Sequence, residues 1–433
     1  MSGQILKKPI LTQLSERLSQ PVEIKDLLRV RLHLLDWAGC AIAGAVEPAG
    51  VALRARPANN PLSRAFAWGG LGNILEMDDV DKRALLHPGP SIIPAALAVA
   101  QTQTVTLAQV LAAIVSGYEA TIRLGRAVGA AHYALWHSTG TCGAIGAAAA
   151  SARLMGLNTT QTAHAMALAV SQSAGLWHTR HDPASMGKQL HTAVAARAGV
   201  DAAQLTSVGF TGPLRILEGE QGFFAAMCPG SEAFEVMANR GGAWAIHDVS
   251  FKPWPACRHA HAVIDAALAL RDQIDPGQAS ELVVRTYADA LKFCDQSNPS
   301  TVIEAKFSLQ HSVAVTLLRG APTLADYSMD AINDPELTAL RSKLRVEVGT
   351  EFETAYPARF GAELVCGDAA ETASDALGDP ENPMSYQQIR DKADMLMQAG
   401  LLDTEKRARI ITGALSEDAN FADLSQLLNE ALA

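Results

Sequence analysis

Between Asn73 and Pro94 the sequence reads NILEMDDVDKRALLHPGPSIIP, which crowds Glu76, Asp78, Asp79, Asp81, Lys82, Arg83 and His87 into one short stretch. Carboxylates, cations and an imidazole are the materials of acid–base catalysis. A charge run more often meets solvent than substrate. This one, however, stops at Pro88 and Pro90 and passes at once into an apolar run that cannot be surface. Asp78 and Asp79 also invite a magnesium–diphosphate reading of the DDxxD kind. That reading fails because Lys82 stands where the next acid should be, and magnesium needs several oxygen ligands on facing elements.

Three further groups carry chemistry-bearing side chains. His137 precedes Ser138 and Thr139 at the start of a run of small residues. A helix beginning there would offer free amides and two hydroxyls to a carboxylate, or Ser138 would be only a cap. Lys188 and His191 are three apart, on one face of a helix, with His178 and His181 in the loop before it. Lys252, Arg258, His259 and His261 form a second basic, proline-bounded cluster. His259-x-His261 resembles half of a metal pair, but no third and fourth ligand lies near it, so no metal is expected. There is no G-x-S-x-G, no Walker loop and no G-x-G-x-x-G after a strand. What remains suits acid–base chemistry on a carboxylate substrate.

The elements that must position these groups are read from composition and periodicity. At 433 residues the chain exceeds what one core usually supports, so two domains are expected. A 48% apolar, Ala-rich composition with 5% aromatics points to a helical protein. The net charge of −10, without a basic block, argues against nucleic acid as a partner and requires a site for an anion to concentrate its own cations. Six scattered cysteines read as reduced core residues and speak against an iron–sulfur cluster. No 18-residue apolar stretch and no apolar leader in MSGQILKKPILTQL is present, so no membrane partner and a cytosolic location are expected.

In chain order, residues 22–45, 91–101, 107–128, 138–155, 160–174 and 184–204 read as helices, with Thr106 an N-cap and Pro94 in the first turn of its helix. Beyond Gly242 the texture changes. Residues 281–286, 344–348 and 362–365 read as strands among helices, followed by helices over 385–399, 404–415 and 422–433 expected to pack back on the first half. The fold class is therefore mainly α: a large all-helical domain, 1–248 with 384–433, and a smaller inserted α+β domain, 249–383.

The motifs NILEMDDVDKRALLHPGPSIIPA, GYEATIRLGRAVGAAHYALWHSTGTCGAIGAAAA, SMGKQLHTAVAARAGV, FKPWPACRHAH and AKFSLQHSVAVTLLRG, in this order, resemble the MmgE/PrpD family, which includes 2-methylcitrate dehydratase, cis-aconitate decarboxylase and iminodisuccinate epimerase. The resemblance implies a helical domain built from both chain ends, an α+β domain between, a cleft joining them, no metal or organic cofactor, and a homodimer. It matches the family's active-site histidines to His87 and His137 and its cleft lysines to Lys188 and Lys252. Where the family commonly has D-F-D-D followed by Thr or Ser, this chain has Glu76-Met77-Asp78-Asp79-Val80, and Tyr287 is offset from the family's cleft tyrosine.

The reaction so implied removes a proton, or carbon dioxide, next to a carboxylate and passes through an enolate-like intermediate. The expected roles are His87 and His137 as the acid–base pair, with Glu76 or Asp79 orienting one imidazole. Lys188, Lys252 and Arg258 hold carboxylates, and Ser138, Thr139, His191 and His178 line the substrate. A dehydratase acting on a small di- or tricarboxylic acid is expected first. An isomerase or epimerase, a decarboxylase, and a silent carboxylate-binding protein are the alternatives.

Overall fold

The computed structural model describes residues 8–182, 184–230, 236–237, 239 and 241–433. The first seven residues of the stretch MSGQILKKPILTQL lie outside them. Among the described residues no helix is long and apolar enough to cross a membrane. The chain is mainly α with one small sheet, and it divides into two compact units, Met1–Val249 with Tyr386–Ala433, and Ser250–Ser385.

The first unit is a pile of helices: α1 (Ile10–Leu18), α2 (Ile24–Ala45), α3 (Pro48–Arg54), α4 (Pro61–Leu71), α5 (Gly89–Ala100), α6 (Leu107–Tyr133), α7 (Ser138–Leu154), α8 (Thr159–Val170) and α9 (Gly187–Ser207). Their starts are set by local chemistry. Glu23, Asn60, Thr106 and Asn158 each form reciprocal capping boxes, satisfying amides that a helix N-terminus leaves without intrahelical partners. Helix α5 begins two residues earlier than the sequence pattern predicts. Pro94 therefore lies inside it rather than in its first turn, in a helix buried along its whole length. Burial stabilises this helix against the hydrogen bond that Pro94 cannot donate.

Small residues let α6, α7 and α9 approach closely. A Cβ on Gly146 would come within 2.0 Å of Thr121 Oγ1 and 2.4 Å of the Gly117 carbonyl. The alanine-rich stretch of α7 is thus the core packing that its composition predicts. Residues Tyr386–Ala399 return to this unit and pack on α2. Lys392, buried there, donates to Asp36 Oδ1 at 2.5 Å and to the Met77 carbonyl at 2.6 Å. Burial works against the Lys392 ammonium, but the Asp36 carboxylate beside it, with Cys40 and Asp78 adding to it, outweighs that and holds its pKa above the usual value. The C-terminal segment thereby clasps the loop that carries the acidic cluster.

The second unit is built on a four-stranded sheet of order β2-β1-β3-β4, with β1 (Leu282–Thr286), β2 (Leu344–Val348), β3 (Ala362–Cys366) and β4 (Ala369–Ala373). Strand β1 pairs parallel with β2 and antiparallel with β3. The helix His261–Leu270 packs against β3 and β4, burying Val263 and Ile264 with Leu282, Val284 and Leu364. The sequence pattern missed β4. Its AAETA run lacks the β-branched signal, and it exists because the Gly367-Asp368 turn folds it back on β3.

Candidate active site

The acidic stretch is not a solvated turn. Glu76, Asp78, Asp79, Asp81 and Lys82 are all no more than 3% exposed. Buried charge demands partners, and the side chains around it supply them. Asp81 pairs with Arg126 and accepts the Ala84 amide at 2.7 Å, closing a tight reversal bridged between Asp81 and Leu86.

Asp79 is the centre of a polar staple. One carboxylate oxygen accepts from Tyr118 Oη at 2.6 Å and His33 Nδ1 at 2.7 Å, and the other from the Gly89 amide at 2.9 Å. Its carboxylate is thereby occupied by helices α2, α5 and α6 and is not directed at His87. The imidazole of His87 is instead oriented by the Asp79 backbone carbonyl, 2.9 Å from Nδ1, and by Asp78 Oδ2 at 3.1 Å. Asp78 is itself steadied by Asn73 Nδ2 at 2.7 Å. Sequence reasoning passed over Asp78 in this role, and over His33 and Tyr118.

Replacing Asp79 by alanine is expected to destabilise the fold by roughly 3–5 kcal/mol, because buried donors from three elements lose a charged acceptor together. Urea unfolding checks this. A loss below about 1 kcal/mol would contradict the scaffolding role.

Burial also sets a pH dependence. It depresses His33 to about 4 against the opposing hydrogen bond to Asp79. The folded state keeps the ring neutral while the unfolded chain binds a proton below about 6.5, so stability falls as pH drops from 6.5 to 4. The loss is roughly 3 kcal/mol when complete. His259 and His311 in the second unit, likewise depressed to about 4 by burial, act with the same sign. Urea midpoints measured at pH 7 and pH 5 should differ accordingly; equal midpoints would exclude the effect.

Glu76 has a left-handed backbone, φ 60°, where a residue with a Cβ is disfavoured by about 1–2 kcal/mol. Its side chain reaches Lys188, near the start of α9, in an ion pair. Strain at a buried, charge-paired residue is typical of functional loops.

His137 occupies the N-cap position of α7. An isolated bridge between Trp136 and Leu176 aligns this turn with the segment before α9, and the His137 amide donates to the Gly175 carbonyl at 2.8 Å. The imidazole lies against Trp177, with ring centroids 4.5 Å apart, and its Nδ1 is 3.2 Å from Nδ1 of His191. Its Nε2 and the Ser138 hydroxyl are buried, with no hydrogen-bond partner among the described residues. Burial first, then Lys188, His191 and His87, push the His137 pKa well below 6.5, outweighing Asp78. It is neutral at physiological pH, with one buried nitrogen unspent. The Thr139 hydroxyl accepts the His87 amide at 3.0 Å and ties the His87 loop to α7.

His191 and His178 line a cavity of about 460 Å³ with Trp136, Gly175 and Leu176. His178 is exposed on a single turn, Trp177–His181. The remaining expected residues belong to the second unit. Lys252 is fully buried there. Arg258 pairs with Asp379 at 2.5 Å and also donates to the Leu377 carbonyl. His259 Nδ1 meets Tyr287 Oη at 2.6 Å and His261 Nδ1 meets Arg258, so both rings of the His-x-His pair take part in packing.

The first unit thus brings His87, His137, Lys188, Glu76 and Asp78 into one electrostatic neighbourhood. It can hold a neutral base, a cation beside it and an oriented second imidazole.

The MmgE/PrpD N-terminal domain matches residues 56–235 and the MmgE/PrpD C-terminal domain matches residues 254–418. A cis-aconitate decarboxylase-like protein, oryM, of Aspergillus oryzae is 27% identical over 399 residues, 85% of this chain and 82% of its own. The cis-aconitate decarboxylase of Mus musculus is 28% identical over 59% of this chain and 54% of its own length. The mitochondrial 2-methylcitrate dehydratase of Yarrowia lipolytica is 27% identical over 49% of this chain and 42% of its own length. In these last two the match spans about half of the relative.

Proposed function

The chain belongs to the MmgE/PrpD family, and from that premise we propose that it is a lyase acting on a small di- or tricarboxylic acid, with dehydration as its reaction. The observation that carries the reading is the buried, unpartnered Nε2 of a neutral His137 in the electrostatic reach of the Lys188 ammonium. A neutral imidazole is a base, and a cation beside it stabilises the negative charge that deprotonation creates.

In this mechanism Lys188 holds a substrate carboxylate, exchanging its contact with Glu76 for the substrate. His137 Nε2 takes the proton from the carbon next to that carboxylate, and the charge spreads into the carboxylate as an enolate. The C–O bond on the neighbouring carbon then breaks, the double bond forms, and the departing hydroxide leaves as water with a proton from His87. The contacts of His87 Nδ1 with the Asp79 carbonyl and Asp78 keep a hydrogen on that nitrogen, so the proton given to the departing hydroxide is a second one, carried on Nε2 of the ring in its imidazolium form. Lys252, in the second unit, is proposed as a carboxylate-binding residue. Arg258, engaged with Asp379, is assigned to steadying the turn that presents Lys252. Homodimeric assembly and a cytosolic location belong to the same proposal.

Decarboxylation is the second reading, favoured by the Aspergillus oryzae relative that aligns over 85% of this chain. A panel of hydroxylated and unsaturated di- and tricarboxylates, assayed for unsaturated product and for carbon dioxide, separates the two. Unsaturated product without carbon dioxide supports dehydration, carbon dioxide release replaces it with decarboxylation, and binding without turnover removes both.

A further inference from the structure

The contact between His137 and His191 has a chemical content that substrate lining does not use. Two Nδ1 atoms 3.2 Å apart can share only one hydrogen. If His191 donates it, His137 must carry its own proton on Nε2, and that N–H is buried among the described residues without an acceptor. If His137 donates, the orphan is a lone pair. A buried N–H without a partner is the rarer and costlier of the two, and a lone pair is also the form that the nearby Lys188 cation favours.

The rest of the local architecture holds His191 in place to receive that hydrogen. It stands three residues after Lys188, on the same side of α9. Its ring packs on Gly175, whose φ of 134° no side chain adopts easily and where a Cβ would stand 3.3 Å from the imidazole. His191 also lines the 460 Å³ cavity, so its outer edge reaches solvent. Burial and Lys188 lower its pKa, which keeps it neutral and able to accept.

We infer that His191 is a positioning residue that accepts the Nδ1 hydrogen of His137 and so keeps Nε2 of His137 bare as the catalytic base. This rests on the assignment of His137 as the base. The neutral acceptor gives the dyad a particular character. A carboxylate in the same place would stabilise the imidazolium and hold the proton, whereas a second imidazole lets His137 return it readily. The groups facing His137 that bear on its charge are Lys188 and His191 from α9 and His87 and Asp78 from the acidic loop.

The test is ¹⁵N NMR of protein labelled at its histidines, which distinguishes bare from protonated ring nitrogens without any turnover, so it also stands if the substrate proposal fails. His137→Gln identifies the His137 signals. In the intact protein at pH 7.5, His137 should show a bare Nε2 and a protonated Nδ1. His191→Leu should convert His137 partly or wholly to the opposite tautomer. His191→Gln, which keeps an acceptor oxygen and a similar size, should retain the original one and guards against a variant that fails to fold. On a turned-over substrate, His191→Leu should lower kcat about 10- to 100-fold, on the scale of removing a group that orients a ligand or base, with KM little changed, and His191→Gln should restore most of it. A protonated Nε2 in the intact protein, or a tautomer unchanged in His191→Leu, overturns the inference.

Discussion

Replacing His137 by alanine is expected to lower kcat by about 10²- to 10⁴-fold, the range carried by a positioned general base, with a much smaller change in KM. The buried ring contacts Trp177 and His191 but is not part of the Asp79 staple, so the helical unit should survive the change. His137→Gln keeps a polar side chain in the same place and should be equally inactive, because an amide cannot take the proton. Circular dichroism and urea unfolding of both variants separate lost chemistry from lost fold. Turnover within a few-fold of the unsubstituted protein in a folded His137→Ala variant would remove His137 from the mechanism.

The second large effect is expected at Lys188. Truncating it to alanine removes the ion-pair partner of Glu76, a residue only 2% exposed and in a left-handed backbone. Removing one member of a buried pair costs about 3–5 kcal/mol, so Lys188→Ala should be markedly less stable. Its kcat/KM should fall by about 10²- to 10³-fold, the scale of losing one charge-stabilising donor. The two effects can be pulled apart. Lys188→Ala combined with Glu76→Gln removes the stranded charge and should recover most of the stability, while turnover stays low. Recovery of turnover in the double variant would mean that Lys188 serves only to neutralise Glu76.

Much of the scaffold was legible in the sequence because its signals are local. Thr106 with Gln109 marks the start of α6, the alanine and glycine run predicts close packing of α7, and the β-branched ELVVRT marks β1. The candidate site was legible only in part. His87, His137 and Lys188 were named by resemblance, and their neighbourhood is formed within one unit. The wiring between them was not readable, because its partners are remote in sequence: His33 and Tyr118 lie 46 and 39 residues from Asp79. Adjacent aspartates look alike on paper, yet Asp78 faces His87 and the Asp79 carboxylate faces the helices. One signal was available. His33 stands between buried residues in α2, and a polar ring on an apolar helix stripe implies a buried partner.

The departure at Glu76 also gains a physical meaning. A glutamate reaches one methylene further than an aspartate, and here that reach ends on Lys188. On the proposed role of Lys188, Glu76 occupies the cation that a substrate carboxylate would claim.

The most direct measurement follows the substrate itself. Proton NMR of a di- and tricarboxylate panel in deuterated buffer reports loss of the proton next to a carboxylate and the appearance of a vinylic signal. The expected result is one substrate that loses this proton and gains the vinylic signal with the unsubstituted protein, and remains unchanged with folded His137→Ala and Lys188→Ala. Full turnover by both variants would contradict the assignment.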